Sequence, residues 1–348
     1  MSGCSSSSKR NKDSSTTQNG DASPPRPWQK MALKGVVQTT VQAFGSKMVV
    51  RAWPSTTHPK PNGALLDAVA EIKRIEAFTN PTNPSGEVFL INEKGWDSAV
   101  PISDELAQIL IDCDRMHKVS EGKFDITYVP YRGERDFVED DINKIKNWDQ
   151  EPPLSPQPLH LMGEKILLLD LAQNGKPAQL RRYNRRHRLN LNGMIRGYAI
   201  DRVTQLLAKQ KLAGFAVISE GLIGAAGLGL QDPGLMCIEN PKALGTCIKK
   251  LTATMQNRIL YFGTSASLER KGKMFDPTSA WSYRTGGIFI AGSSGQWVQF
   301  GLTYGAIADE GRLNTLFQKN RQLNLSGVYF DPNDTTKILG SLSPYFSF

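Results

Sequence analysis

Leu189-Asn-Leu-Asn-Gly-Met-Ile-Arg-Gly-Tyr-Ala-Ile-Asp201 runs from a short apolar strand, through paired small residues, into a helix that opens near a glycine and carries Arg196 and Asp201. A helix start leaves backbone N–H groups without intrahelical acceptors, and the helix dipole adds partial positive charge there. The segment therefore reads as an anion-handling junction, of the kind that receives a phosphate. Asn-Gly also occurs at strand–helix junctions for plain turn reasons, so the weight of this reading rests on what else the chain contains.

Outward from it, the chain carries Gly86-Glu-Val-Phe-Leu-Ile-Asn92, Gly122-Lys-Phe-Asp-Ile-Thr-Tyr-Val-Pro130, Gly263-Thr-Ser-Ala-Ser-Leu-Glu-Arg270, Phe275-Asp-Pro277 and Ala308-Asp309. Between these, periodicity sets the elements. Val36–Phe44 and Lys47–Trp53 flank Gly45-Ser46 as a β-hairpin. Leu66, Val69, Ile72 and Ile75 recur at helical spacing over 65–78, and Ser103 is positioned to cap a helix through Cys113. Ile166–Asp170 reads as a buried strand, Tyr198–Leu212 as a helix and Phe215–Ser219 as a strand. Strands are then expected at Gly234–Glu239, Lys249–Met255, Arg258–Tyr261, Gly287–Ala291 and Gln296–Gln299, before a last helix from Ala306 to Phe317. Helices and strands segregate rather than alternate, which indicates an α+β fold.

The 348 residues suffice for a sizeable core, and 39% apolar with 22% charged residues fits a soluble globular protein. No apolar run is long enough to span a bilayer. Residues 1–30 are rich in Ser, Thr, Lys and Pro and are expected to form a disordered leader. The acidic, then proline-rich stretch Glu139–Pro158 reads as a surface excursion. The net charge of +9 gathers in that leader and in Arg181-Arg-Tyr-Asn-Arg-Arg-His-Arg188. The arginine cluster reads as a solvated hairpin between Pro177 and Leu191. No RNA-binding aromatic signature or zinc spacing accompanies it, so nucleic acid is not expected.

Cys4, Cys113, Cys237 and Cys247 form no C-x-x-C pair, and their spacing implies neither a metal site nor a disulfide framework. Cys113 and Cys237 read as small core residues. Cys4, followed by serines, looks like the processed start of a lipoprotein, although no signal-peptide pattern precedes it. Two expectations stay open: a periplasmic, membrane-anchored protein if Cys4 is a processed start, a cytoplasmic one if Cys4 is incidental.

In their order along the chain, the quoted blocks resemble the FAD:protein FMN transferase (ApbE) family, over roughly Leu33 to Gln318. The most specific blocks correspond to the family's G-x-F-D-I-T-x-x-P and D-L-G-G-I-A-K-G-Y-A-V-D. The resemblance implies a T-fold-related α+β domain over 33–330, with mixed, largely antiparallel sheets and packed helices, and a C-terminal extension over 331–348. It implies cleavage of the FAD pyrophosphate, attachment of FMN by a phosphoester to a Ser or Thr of a partner flavoprotein, and release of AMP.

Carried over residue by residue, it assigns flavin-nucleotide contacts to Phe124, Asp125, Thr127, Asn192, Gly193, Arg196, Gly197, Asp201 and Ser265. Asp125, Ser265, Arg196 and Lys273 carry the chemistry, and Mg2+ is held by the Ile195 carbonyl and Asp309. Asp125 could alternatively shape its own loop through an Asx turn, Asp201 could be a helix-face carboxylate, and Asp309 a helix-start acid. The chain also departs from the family. Leu313 stands where a magnesium-binding Thr is usual, Lys273 where a His is usual, and Glu220-Gly221-Leu222 where Gly-Gly-Asp is usual. These departures leave a second reading, an ApbE-like protein that binds FAD or its partner without transfer. None of His58, His117, His160 and His187 falls in a matched block, and each reads as a surface or loop residue.

Overall fold

A computed structural model describes residues 35–96, 98–127, 167–173, 175–182, 188–239, 246–255, 257–266, 287–305, 308, 310–330, 338–341 and 344–347. The leader, residues 128–130 of the second block, the 139–158 excursion, His160, His187, half of the Gly263–Arg270 block, Lys273, Phe275–Pro277 and Asp309 lie outside them.

The chain begins with β1 (Val37–Ala43) and β2 (Ser46–Trp53). Ala43 pairs with Ser46, so the two-residue loop is Phe44-Gly45, one position earlier than the sequence suggested. Phe44 and Gly45 both have positive φ, 54° and 70°. That geometry matches the twist of a tight hairpin. Helices α1 (Asn62–Thr79) and α2 (Glu87–Lys94) follow, then β3 (Val100–Ile102) and α3 (Asp104–Val119). Ser103 caps α3 as its sequence implied, accepting from the Leu106 N–H at 3.1 Å.

Next come β4 (Leu167–Asp170), β5 (Ala178–Arg182), α4 (Ile195–Ala208), β6 (Gly214–Ser219) and β7 (Leu222–Gly227). Then follow β8 (Cys237–Glu239), β9 (Cys247–Lys250), β10 (Thr252–Ala253), β11 (Leu260–Ala266) and β12 (Gly287–Gly292). The chain closes with α5 (Gly295–Gly305), α6 (Glu310–Lys319), β13 (Leu325–Phe330), β14 (Ile338–Ser341) and β15 (Phe346–Ser347).

Eight strands form one antiparallel sheet in the order β1-β2-β6-β7-β11-β12-β13-β14. Because side chains alternate along a strand, each central strand feeds two cores. Met48, Val50 and Ala52 of β2 join the core under α1, α4 and α5, together with Val217, Ile288 and Ile290. Val49 and Trp53 face the other way, with Ile218, Phe262 and Phe289. That second core is closed by Leu235, Met236, Ile238, Tyr345 and Phe346. Phe346 meets Phe262 edge-on at 5.0 Å, so the C-terminal extension is part of the fold. β14 likewise adds a strand to the main sheet. Arg51, whose side chain belongs to the second face, is buried and paired with Asp232 at 2.8 Å. Burial on both faces makes these strands near-continuous apolar runs.

Four expectations are corrected. Gln296–Gln299 is helix, not strand: the whole of α5 is buried between sheet and helices, so apolar residues on every side replace the amphipathic stripe of a surface helix. Leu167–Asp170 is a strand of which only Leu167 is buried, because it forms one edge of the small sheet β3-β5-β4. Within the basic cluster, of which residues 183–187 lie outside the described ones, Arg182 departs from the solvated reading. Arg182 is fully buried, donating to the carbonyls of Ile91 at 3.0 Å and Asn92 at 2.7 Å, where it caps the end of α2. Its removal from water lowers its pKa to about 10.

The fourth correction concerns the cysteines. Cys237 and Cys247 form a disulfide across the β8–β9 hairpin, while Cys113 is free and buried as expected. A loop closed over ten residues of separation restricts the unfolded chain by on the order of 2–3 kcal/mol. Replacing both cysteines by serine is therefore expected to lower thermal stability by several degrees, measured by calorimetry. Reductant should then lower the melting temperature of the natural chain and leave that of the double variant unchanged.

Candidate functional site

Leu189–Gly193, expected to begin as a strand, lies in no sheet. Leu189 and Leu191 are buried, and buried backbone groups need partners. Side chains from distant elements supply them. The Asn92 amide, at the end of the Gly86–Asn92 block on α2, accepts from the Leu189 N–H at 2.7 Å and donates to the Leu189 carbonyl at 3.0 Å. The Asn190 N–H donates to the Ile126 carbonyl at 2.7 Å. Gln299 Nε2 donates to the Asn192 carbonyl at 2.9 Å, and the Thr303 hydroxyl to the Gly193 carbonyl at 3.0 Å. Gln299 and Thr303 sit one turn apart on α5, so both face the same segment.

The loop at 120–127 is fastened in a similar way. The Ser120 hydroxyl accepts from the Phe124 N–H at 2.9 Å. Asp125 Oδ1 accepts from both the N–H and the hydroxyl of Thr127, each at 2.7 Å, which is the Asx-turn alternative. The other carboxylate oxygen lies 3.6 Å from His117 Nδ1, which itself makes a 2.9 Å hydrogen bond with the Phe124 carbonyl. His117 is thus a buried partner of a site loop rather than a surface histidine. Its place on the inner face of α3, four positions after Cys113, was the signal available in the sequence.

The two most specific blocks touch. A Cβ on Gly193 would fall 2.7 Å from the Phe124 ring, so only glycine lets the turn close on that ring. Phe124 in turn packs edge-on against Phe300 at 5.3 Å.

Helix α4 begins without a side-chain cap. The Leu191 carbonyl takes the N–H groups of Met194 and Ile195, and the Gln299 side chain takes that of Gly197 at 2.6 Å. Among the described residues, the Arg196 N–H keeps no acceptor. Gly197 is where α4 crosses α5: a Cβ there would come within 2.3 Å of the Gly295 carbonyl. Four residues on, Asp201 caps α5. It accepts from the N–H groups of Gly295 at 2.6 Å and Gln296 at 2.9 Å, and from the Ser294 hydroxyl at 2.9 Å. Gly197 and Asp201, expected to contact a nucleotide, therefore hold the helix pair together. Thr127 and Phe124 are buried in the loop beneath the turn.

The solvent-facing part of the site runs from Asn192, Gly193 and Arg196 to the β6–β7 turn. Arg196 Nη1 donates to Glu220 Oε2, and the Gly221 carbonyl accepts from the Thr264 N–H at 3.2 Å. Thr264 is followed in β11 by Ser265, which pairs with Ile288 of β12. Asn192, Gly193, Arg196 and Ser265 thus come to one edge of the helix layer. Gln299 and Thr303 are the members that the motifs missed, Gln299 because α5 read as a strand, whereas Glu220 lies within a matched block, where it stands in place of the first Gly of Gly-Gly-Asp.

Of the donors implied for magnesium, Ile195 lies in the first turn of α4 and Asp309 is outside the described residues. Leu313 is buried in the core beside Gly305 and offers no oxygen. The described residues contain no cluster of three His, Cys, Asp or Glu side chains suited to a metal. They do not make a magnesium site by themselves.

The ApbE family model matches residues 41–286. An FAD:protein FMN transferase of Chlamydia pneumoniae is 27% identical over 133 residues, a match spanning 38% of this chain and 40% of that protein's length. The crystal structure of the ApbE protein of Thermotoga maritima superposes with a TM-score of 0.65 at 15% identity, covering 88% of this chain and 97% of its own. The flavin transferase ApbE of Vibrio cholerae gives 0.61 at 15% identity, over 88% and 97%. The apo flavinyl transferase ApbE of Pseudomonas stutzeri gives 0.57 at 17%, over 89% and 97%. At such identities the likeness establishes the α+β fold.

Burial raises the Asp201 carboxyl from its ordinary 3.8 to about 6, against the downward pull of the Gln296, Gly295 and Ser294 donors. The folded pKa lies above the unfolded one, so this contribution to stability is complete below pH 3.8 and is lost as the pH rises through 6. Relative to Asp201→Asn, which cannot titrate, the natural chain should lose roughly 2 kcal/mol between pH 4 and pH 7. Denaturant titration of both proteins across that window measures the difference. A constant difference would show that Asp201 keeps an ordinary pKa.

Proposed function

The chain belongs to the ApbE family, and from that premise we propose that it is an FAD:protein FMN transferase. The observation that carries the proposal is the hydrogen bond from Asn190 to Ile126 with the closure of Gly193 on Phe124, which joins the two most specific blocks. In this reading the FAD pyrophosphate lies at the start of α4, where the Arg196 N–H and guanidinium offer charge-assisted donors. The acceptor approaches from the β6–β7 turn and β11, the side on which Ser265 lies. Its Ser or Thr hydroxyl oxygen attacks the FMN-side phosphorus, the bond to the bridging pyrophosphate oxygen breaks, and AMP departs with that oxygen. The hydroxyl proton leaves to solvent or to a base of the site. In a reaction of this kind the protein acts chiefly by positioning and by stabilising charge.

In this reading the Ile195 carbonyl and Asp309 would hold magnesium, which would supply neutralisation of the pyrophosphate charge. The buried Leu313 favours a second reading, a member of the family that binds FAD without transferring FMN. The Cys237–Cys247 disulfide supports an oxidising compartment over the cytoplasm.

Incubation with FAD, magnesium and a candidate acceptor flavoprotein tests the proposal. Transfer gives flavin fluorescence that stays with the acceptor on a denaturing gel, together with an equal amount of AMP. Bound FAD without AMP would select the second reading. Absence of FAD binding at tens of micromolar, the affinity of a site worth ~6–7 kcal/mol, would remove both.

A further inference from the structure

Glu220 is an acid beside a site proposed to receive a doubly charged pyrophosphate, where its charge alone would oppose binding. It is nevertheless built in with some care. Glu220 and Gly221 form the two-residue turn between β6 and β7, closed by the Ser219–Leu222 pair. Both have positive φ, 39° and 82°. A non-glycine residue in that region is uncommon and is tolerated where the surroundings hold it. The turn is also held from the far side, by the Thr264 N–H on the Gly221 carbonyl. The carboxylate therefore stands on a fixed point, between β11 and the first turn of α4.

Opposite it is Arg196, whose side chain is 16% exposed against 43% for that of Glu220. The contact uses Nη1. A guanidinium has five N–H donors in a planar fork, so engagement of Nη1 leaves further donors on the other edge, and a lysine ammonium lacks that second edge.

We propose that Glu220 is a positioning residue, which grips one edge of the Arg196 guanidinium so that the other edge is presented to the pyrophosphate of the flavin dinucleotide. The inference rests on the flavin-dinucleotide reading and adds to it the residue that orients the site's cation. It also gives a role to the arginine at position 196, whose planar fork fixes the directions of the carboxylate and the phosphate relative to each other, where the three donors of a lysine share one freely rotating nitrogen.

The sign of one substitution separates this from simple charge. If Glu220 only repels the anion, Glu220→Gln tightens binding. If it positions Arg196, Glu220→Gln weakens binding although a negative charge has been removed. The test is titration of FAD, and separately of inorganic pyrophosphate, into the natural chain, Glu220→Gln, Arg196→Lys and the double variant. The melting temperature of each is recorded, and Glu220→Asp serves as a shorter acid that keeps the charge.

The expected result is a five- to tenfold loss of affinity for both ligands in Glu220→Gln and at least as large a loss in Arg196→Lys. The double variant should bind no more weakly than Arg196→Lys, because once the fork is gone Glu220 has nothing to orient. Tighter binding by Glu220→Gln, or losses that simply add, would overturn the inference and leave the dinucleotide reading standing. Should Glu220→Gln prove unfolded, weaker binding by folded Glu220→Asp supports the proposal and unchanged or tighter binding overturns it. Failure of the natural chain to bind either ligand would overturn the reading and the inference together.

Discussion

The site depends on one constraint: the backbone of Leu189–Gly193 is partly buried and has no strand beside it. An unpaired buried amide costs on the order of 1–3 kcal/mol, so this segment can exist only where side chains replace a sheet. Asn92 does so from α2, the Ile126 carbonyl from the 120–127 loop, and Gln299 and Thr303 from α5. Three regions far apart in sequence must therefore arrive together before the turn ahead of α4 has a defined shape. The same contacts take up the N–H groups of Met194, Ile195 and Gly197 at the helix start and, among the described residues, leave that of Arg196 without an acceptor.

A second layer of support lies behind this one. Asp201 caps α5, and α5 in turn carries Gln299 and Thr303 back to the turn that precedes Asp201's own helix. The two helices thus terminate one another, and Gly197 and Gly295 let them approach closely enough to do so. Much of what a motif match would assign to ligand contact is in this sense scaffold. Gly197 and Asp201 hold α5, Thr127 completes the Asx turn of Asp125, and Phe124 fills the floor under Gly193. Of the residues that the resemblance assigns to ligand contact, Asn192, Gly193 and Arg196 are the ones that keep exposure to solvent.

How much of this was legible in the sequence follows the same division. The hairpin, α1, the Ser103 cap and β6 were readable because their signals are local: alternation, helical spacing and a capping hydroxyl. The order of the motif blocks indicated the fold as a whole. What could not be read was tertiary. Gln-Trp-Val-Gln at 296–299 is a short run with aromatic and β-branched residues that reads as a strand, and it lies in a helix whose start is capped by a carboxylate ninety-four residues before Gly295. Arg182 looked like one of a solvated cluster until the end of α2 was placed against it. Cys237 and Cys247 have no motif spacing, and they meet only once the two strands β8 and β9 that carry them are paired. His117 meets Asp125 from outside the motifs and Glu220 meets Arg196 from within one, and a linear pattern has no means to show either contact.

The central claim is that the 120–127 loop and the turn before α4 form one dinucleotide-binding surface. Hydrogen–deuterium exchange of the natural chain, with and without FAD and magnesium, tests it most directly because it reports backbone amides by position. The account predicts that FAD slows exchange in peptides covering 188–201 and 120–127 together, with the β6–β7 turn protected alongside them and the β8–β9 hairpin unaffected. Binding of FAD with protection elsewhere, and none in these two segments, would contradict it.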